Sequence, residues 1–167
     1  MTPDQIAKPG TESAHQCAFF AWCAVAQNHG FTAADMWADT GKIMPGNGPA
    51  VWPLEWIYHT PNGGTRGNDA RERAIRGGKL KAEGVKAGIP DIFLPYPIAA
   101  YHGLYIEMKK PTQKPKRGGS GGVSQEQAAF VEFARANAYA VAVCYSWREA
   151  ADTVKAYFYG GFDNANK

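Results

Sequence analysis

"GIPDIFL" (residues 88–94) and "GLYIEMKKP" (residues 103–111) decide how this chain is built. In the second stretch Leu104, Tyr105 and Ile106 suit a pleated, half-buried surface, and then Glu107, Lys109 and Lys110 follow. Strand side chains alternate between faces, so Glu107 and Lys109 point one way and Lys110 the other. In the first stretch Pro90 lacks an amide donor and tolerates the first position of a strand, which places Asp91 where a strand leaves a loop. Paired as a hairpin, the two strands bring Asp91 and Glu107 together. Two carboxylates that close stay ionised cheaply only with a cation between them. Oxygen donors of this kind suit Mg²⁺ or Mn²⁺. Lys109 then lies beside the metal, placed to hold or help deprotonate a water or to neutralise a phosphate oxygen. That is equipment for hydrolysing a phosphodiester. Taken alone, the same residues also read as an ion pair on one strand face and a plain turn.

Outward from this core, residues 11–29 form a helix that is apolar all round and stops at Gly30, with Thr11 or Ser13 as its cap. Residues 1–10 read as a loose terminus, and "TAADMWADTGKI" as a second, shorter helix. The segment "LEWIYHTPNGG" (54–64) reads as a strand running into a turn, and residues 68–82 as a basic helix weakened by Gly77 and Gly78. Residues 112–122 are a flexible basic loop. Ser124 and Gln127 make a capping-box pattern ahead of a helix whose apolar positions are Ala128, Phe130, Val131, Phe133, Ala134 and Ala138. A buried-type strand (139–146) and a last helix close the chain. The order is α-β-β-β-α-β in the core, an α/β fold with a mixed β-sheet flanked by helices. The length of 167 residues fits one domain, residues 1–167, with a core over about 11–158 and an insertion near 31–53.

Charge is divided unevenly. Residues 66–117 hold 12 of the 18 Lys and Arg but only 5 of the 15 acids. Such asymmetry points to a polyanionic partner, nucleic acid foremost. The three cysteines have no CxxC spacing and read as buried structural thiols, so neither a zinc site nor a disulfide framework is indicated. His15, His29, His59 and His102 lack metal-ligand spacing and read as structural, with His15 closest to Glu12. The longest apolar run, residues 17–26, is too short to span a bilayer. No signal peptide opens the sequence, and a cytoplasmic location is expected.

The arrangement resembles the PD-(D/E)xK nuclease superfamily and, more closely, its virus-type replication-repair nuclease branch, VRR-NUC. Four features over residues 11–158 carry the resemblance: "ESAHQ" early in the first helix, "PNGGTR" (61–66), the Asp91 and Glu107-x-Lys109 core, and "VSQEQAAF" with Ser124 and Gln127. It implies a restriction-endonuclease-like core. Glu12, Asp91 and Glu107 become metal ligands for Mg²⁺, with Mn²⁺ as substitute. Lys109 becomes the catalytic lysine, and Gln127 a polar residue that positions Lys109 or a phosphate. The activity implied is a Mg²⁺-dependent, structure-selective DNA endonuclease of phage or bacterial replication and repair. Compact members of this type look like homodimers that cut branched DNA such as four-way junctions. Arg66, Arg71, Arg73, Arg76, Lys79, Lys81, Lys110, Lys114, Lys116 and Arg117 make up the expected phosphate-contacting rim. Two other readings stay open: a restriction-type endonuclease that reads a short sequence, and a non-catalytic nucleic-acid-binding protein on a nuclease-like fold.

Overall fold

A computed structural model of the chain describes residues 1–44, 48–60, 69–116 and 121–164. Its sheet has four strands, β1 (Tyr58–His59), β2 (Ile92–Leu94), β3 (Leu104–Met108) and β4 (Ala140–Cys144), in that spatial order. β1 and β2 pair antiparallel, as do β2 and β3, while β3 and β4 run parallel. The sheet is mixed, with helices on both faces.

Alternation along the strands sorts the two faces. Ile92, Leu94, Leu104, Ile106, Met108, Ala140, Ala142 and Cys144 enter one apolar core. Covering them are helices α2 (Glu12–His29), α3 (Phe31–Thr40) and α6 (Trp147–Phe158), which contribute Phe19, Trp22, Phe31, Val154 and Tyr157. The opposite face carries Phe93 and Tyr105, stacked with ring centroids 4.2 Å apart. Phe130 of α5 (Gln125–Ala136) meets Tyr105 edge-on at 5.1 Å. On this face the chain departs from the aromatic pattern at Glu107 and Lys109.

Several expectations change. Residues 1–10 are not loose throughout: α1 (Pro3–Ala7) buries Pro3 and Ala7, and Thr2 and Gln5 close a capping box. Asp4 accepts from the Trp147 indole N–H at 2.9 Å and from Arg148 at 3.0 Å, which docks α1 on the start of α6. The segment expected to be a strand running into a turn (54–64) gives only β1 among its described residues, because Pro53 opens a turn of 3-10 helix (Trp52–Trp56) and Tyr58 and His59 alone of them pair with β2. Phe31, Ala34 and Ala38 of α3 are core residues, so the 31–53 stretch begins as part of the main body. α2 is not buried all round: Ser13, Cys17, Ala24 and Asn28 lie on one exposed stripe, and the thiol of Cys17 is therefore exposed while Cys23 and Cys144 are buried. α5 is rotated from the expected face, with Phe130 and Val131 half-buried, Ala134 buried and Phe133 turned outward. The basic helix is α4 (Ala70–Ala82), capped by Asp69 and exposed along nearly its whole length. Among the described residues no helix is long and apolar enough to cross a membrane.

Candidate active site

The register of β2 and β3 pairs Ile92 with Ile106, so continuing it by one residue sets Asp91 opposite Glu107. Asp91 is pinned from several sides. Its Oδ2 accepts from the Met108 amide at 2.9 Å. Its carbonyl accepts from the Thr60 amide at 2.7 Å and from His59 Nδ1 at 2.8 Å, a contact that requires the proton on Nδ1. His59, read from the sequence as structural, holds the Asp91 carbonyl, a partner that only strand pairing reveals.

Glu107 and Lys109 stay on one face, as their spacing demands, and both are buried. Lys109 Nζ sits 2.8 Å from Glu107 Oε1. Gln127 completes the cluster: its Nε2 donates to Glu107 Oε1, and its Oε1 accepts from Lys109 Nζ at 3.3 Å. The same Oε1 accepts from the Ser124 amide at 2.9 Å, and Ser124 Oγ accepts from the Gln127 amide at 3.2 Å. The capping box that starts α5 therefore also fixes the group that holds Glu107 and Lys109.

The electrostatics are those of crowded acids. Burial, followed by the charge of Asp91, pushes the Glu107 carboxyl up to about 7, against the pull of Lys109. Glu12 is raised too, first by burial and then by Asp91, while Lys109 and Lys110 lower it. Glu12 thus reaches this spot from the first turn of α2, in the layer opposite α5. Glu107 Oε2 is buried with no hydrogen-bond partner. An orphaned carboxylate oxygen among further carboxylates is a donor set that fits a hard cation. Among the described residues, however, no three His, Cys, Asp or Glu side chains are gathered closely enough to grip a metal as they stand. Glu107 Oε1 and Asp91 Oδ2 are instead turned to protein donors.

The remaining residues divide. His15 is structural: its Nδ1 accepts from the Trp147 amide at 3.3 Å, and burial lowers its pKa. Lys110 is exposed, on the other strand face from Glu107 and Lys109, and its charge helps lower the pKa of Glu12. Lys114 is paired with Glu149 at 2.8 Å, and Lys116 is exposed. Arg66, Arg117 and the "PNGGTR" turn lie outside the described residues; Arg71, Arg73 and Arg76 fall on α4, and their side chains are outside the description as well.

No protein-family profile matches the chain, and no curated protein does. Among solved structures, a protein titled "VRR_NUC domain protein" matches with a TM-score of 0.54 and 22% identity, covering 92% of this chain and 93% of the other. The chain has a VRR-NUC-like α/β fold, a mixed four-stranded sheet with flanking helices.

Proposed function

We propose that this protein is a Mg²⁺-dependent, structure-selective DNA endonuclease, with Mn²⁺ able to substitute. The observation that carries the reading is the buried Asp91, Glu107 and Lys109 cluster with Glu107 Oε2 left without a partner. The fold it shares with a VRR_NUC domain protein supports a nuclease of that kind. Asp91, Glu107 and Glu12 would hold the metal, which when bound polarises a phosphoryl oxygen and acidifies its water.

The rest is work for the chain's own side chains. Lys109, held by Glu107 and Gln127, donates from Nζ to a non-bridging phosphate oxygen and stabilises the charge that grows there. Gln127 keeps Glu107 and Lys109 in one geometry, and Ser124 keeps Gln127. His59 holds the Asp91 backbone at the end of β2. The uneven spread of Lys and Arg supports a nucleic-acid substrate bound through its phosphates. A branched duplex such as a four-way junction, cut by a homodimer that supplies two sites, is the reading we take for the native substrate.

The test is cleavage of labelled junction, flap and linear duplex by the purified protein in Mg²⁺. Junction cutting is expected, with Asp91→Ala and Lys109→Ala each slower by at least about a hundredfold. Discrete fragments from linear duplex would favour the restriction-type alternative. No cutting of any substrate, or equal cutting by Asp91→Ala, would sink the proposal.

A further inference from the structure

A groove of about 980 Å³ opens from Lys109 and Gln127 and runs along α4. Its α4 wall is Gly77, Leu80 and Lys81, neighbours on one helix stripe, and Gly84 continues it in the turn that follows. The following loop adds Lys86 and Gly88. Three features single this groove out. First, Lys79 on the same helix is paired with Glu83, whereas Lys81 and Lys86 face the groove with no carboxylate partner among the described residues. Second, Gly77 sits inside a helix, where glycine is unfavourable, yet neither its φ nor its packing demands glycine. A Cβ there would meet nothing within 4 Å, and Gly77 lines the groove, so a side chain at this position would take up groove space. Third, the described lining residues are, Gln127 aside, glycines, lysines and small or aliphatic side chains, which offer backbone contact in place of base stacking. The two polar groups on the far side, Ser124 and Gln127, are already committed to each other, to Glu107 and to Lys109.

Resting on the nuclease reading above, we propose that this groove guides one sugar–phosphate backbone to Lys109. Lys81 and Lys86 hold phosphates beside the one that is cut, and Gly77 is glycine so that the strand can lie against α4. A wall built of small residues and lysines contacts backbone in preference to base edges. Nothing in the structure accounts for Gly78, which does not line the groove and serves as the control.

The experiment is fluorescence anisotropy of a labelled junction with the full chain, over a salt series without divalent metal, alongside thermal unfolding. Lys81→Ala and Lys86→Ala should each reduce the salt slope of binding by about one. Gly77→Leu should raise Tm and weaken binding by about tenfold, because it puts a side chain where the strand lies. Gly78→Leu should raise Tm as much and bind like the wild type. If Gly77→Leu binds like Gly78→Leu, or neither lysine variant changes the slope, the groove assignment is overturned. The two readings fail separately. Groove-dependent binding without cleavage removes the nuclease and keeps the groove, while cleavage and binding indifferent to these variants does the reverse.

Discussion

Glu107 is held in the fold at a cost. A carboxylate that is 3% exposed, beside Asp91, gives up water for one lysine and one amide, and its second oxygen gets nothing. Its carboxyl accordingly stands at about 7 in the folded chain against an ordinary 4.5. The folded state therefore binds more protons than the unfolded state between those values, and stability falls as pH rises through that window. Below pH 4.5 the penalty is absent, and above 7 it is fully present, at about 3 kcal/mol. Glu107→Gln keeps the shape and removes the charge. In chelator it should unfold at a higher Tm than the wild type at pH 8 and at an equal Tm near pH 4.5. Parallel Tm-versus-pH curves for the two proteins would show that Glu107 is not the buried acid described.

Elements are joined at this site by backbone contact as much as by side chains. Gly88 has φ +85°, and a Cβ on it would stand 2.5 Å from the Glu126 carbonyl oxygen and 2.9 Å from the Gln127 amide. The loop that delivers Asp91 is thus pressed against the first turn of α5, where Gln127 sits. Gly88→Ala should cost about 2–4 kcal/mol in urea unfolding, from left-handed strain plus a clash with backbone that cannot yield. It should also slow cleavage by separating Asp91 from Gln127. Gly10→Ala, at φ +68° with open space above it, carries the strain alone and should cost about 1–2 kcal/mol. Equal losses for the two would mean that Gly88 makes no such contact. The local parts of this arrangement were legible in the sequence: strand parity placed Glu107 with Lys109, Pro90 marked the head of β2, and Ser124 with Gln127 announced the start of α5. Those are rules that act within a few residues. What escaped depends on distant partners. Asp4 needs Trp147 and Arg148 to make α1 a docked helix, His15 needs the Trp147 amide, and the face of α5 is set by Tyr105 and not by its own apolar count. The strand expected to start at Leu54 is only Tyr58–His59 among the described residues, because Pro53 starts a 3-10 turn there despite the β-forming residues.

On the scale of the whole molecule, three layers converge on one end of the sheet. Glu12 comes from α2, Asp91 and Glu107 come from β2 and β3, and Gln127 comes from α5. Burial first, and then the charge of Asp91, raises both Glu12 and Glu107, so in the absence of a cation this convergence works against the fold. A divalent ion bound there would offset the burial and crowding of these carboxylates and would bind the folded chain alone. Linkage then predicts a stabilisation of about 2.7 kcal/mol at a Mg²⁺ concentration one hundred times its Kd. For a chain of 167 residues that is a rise in Tm of about 5–10 °C. The rise should be larger at pH 8 than at pH 5, because protonated Glu107 competes with the metal below its pKa of about 7. On the proposed reading it should shrink in Glu12→Gln and nearly vanish in Asp91→Asn, since the first would remove a ligand at the rim and the second one at the centre. Differential scanning fluorimetry with Mg²⁺, Mn²⁺ and chelator reads this directly. A shift in Tm that survives intact in Asp91→Asn would move the metal elsewhere, and no shift at any pH would leave Glu107 as a buried acid without the cation proposed for it.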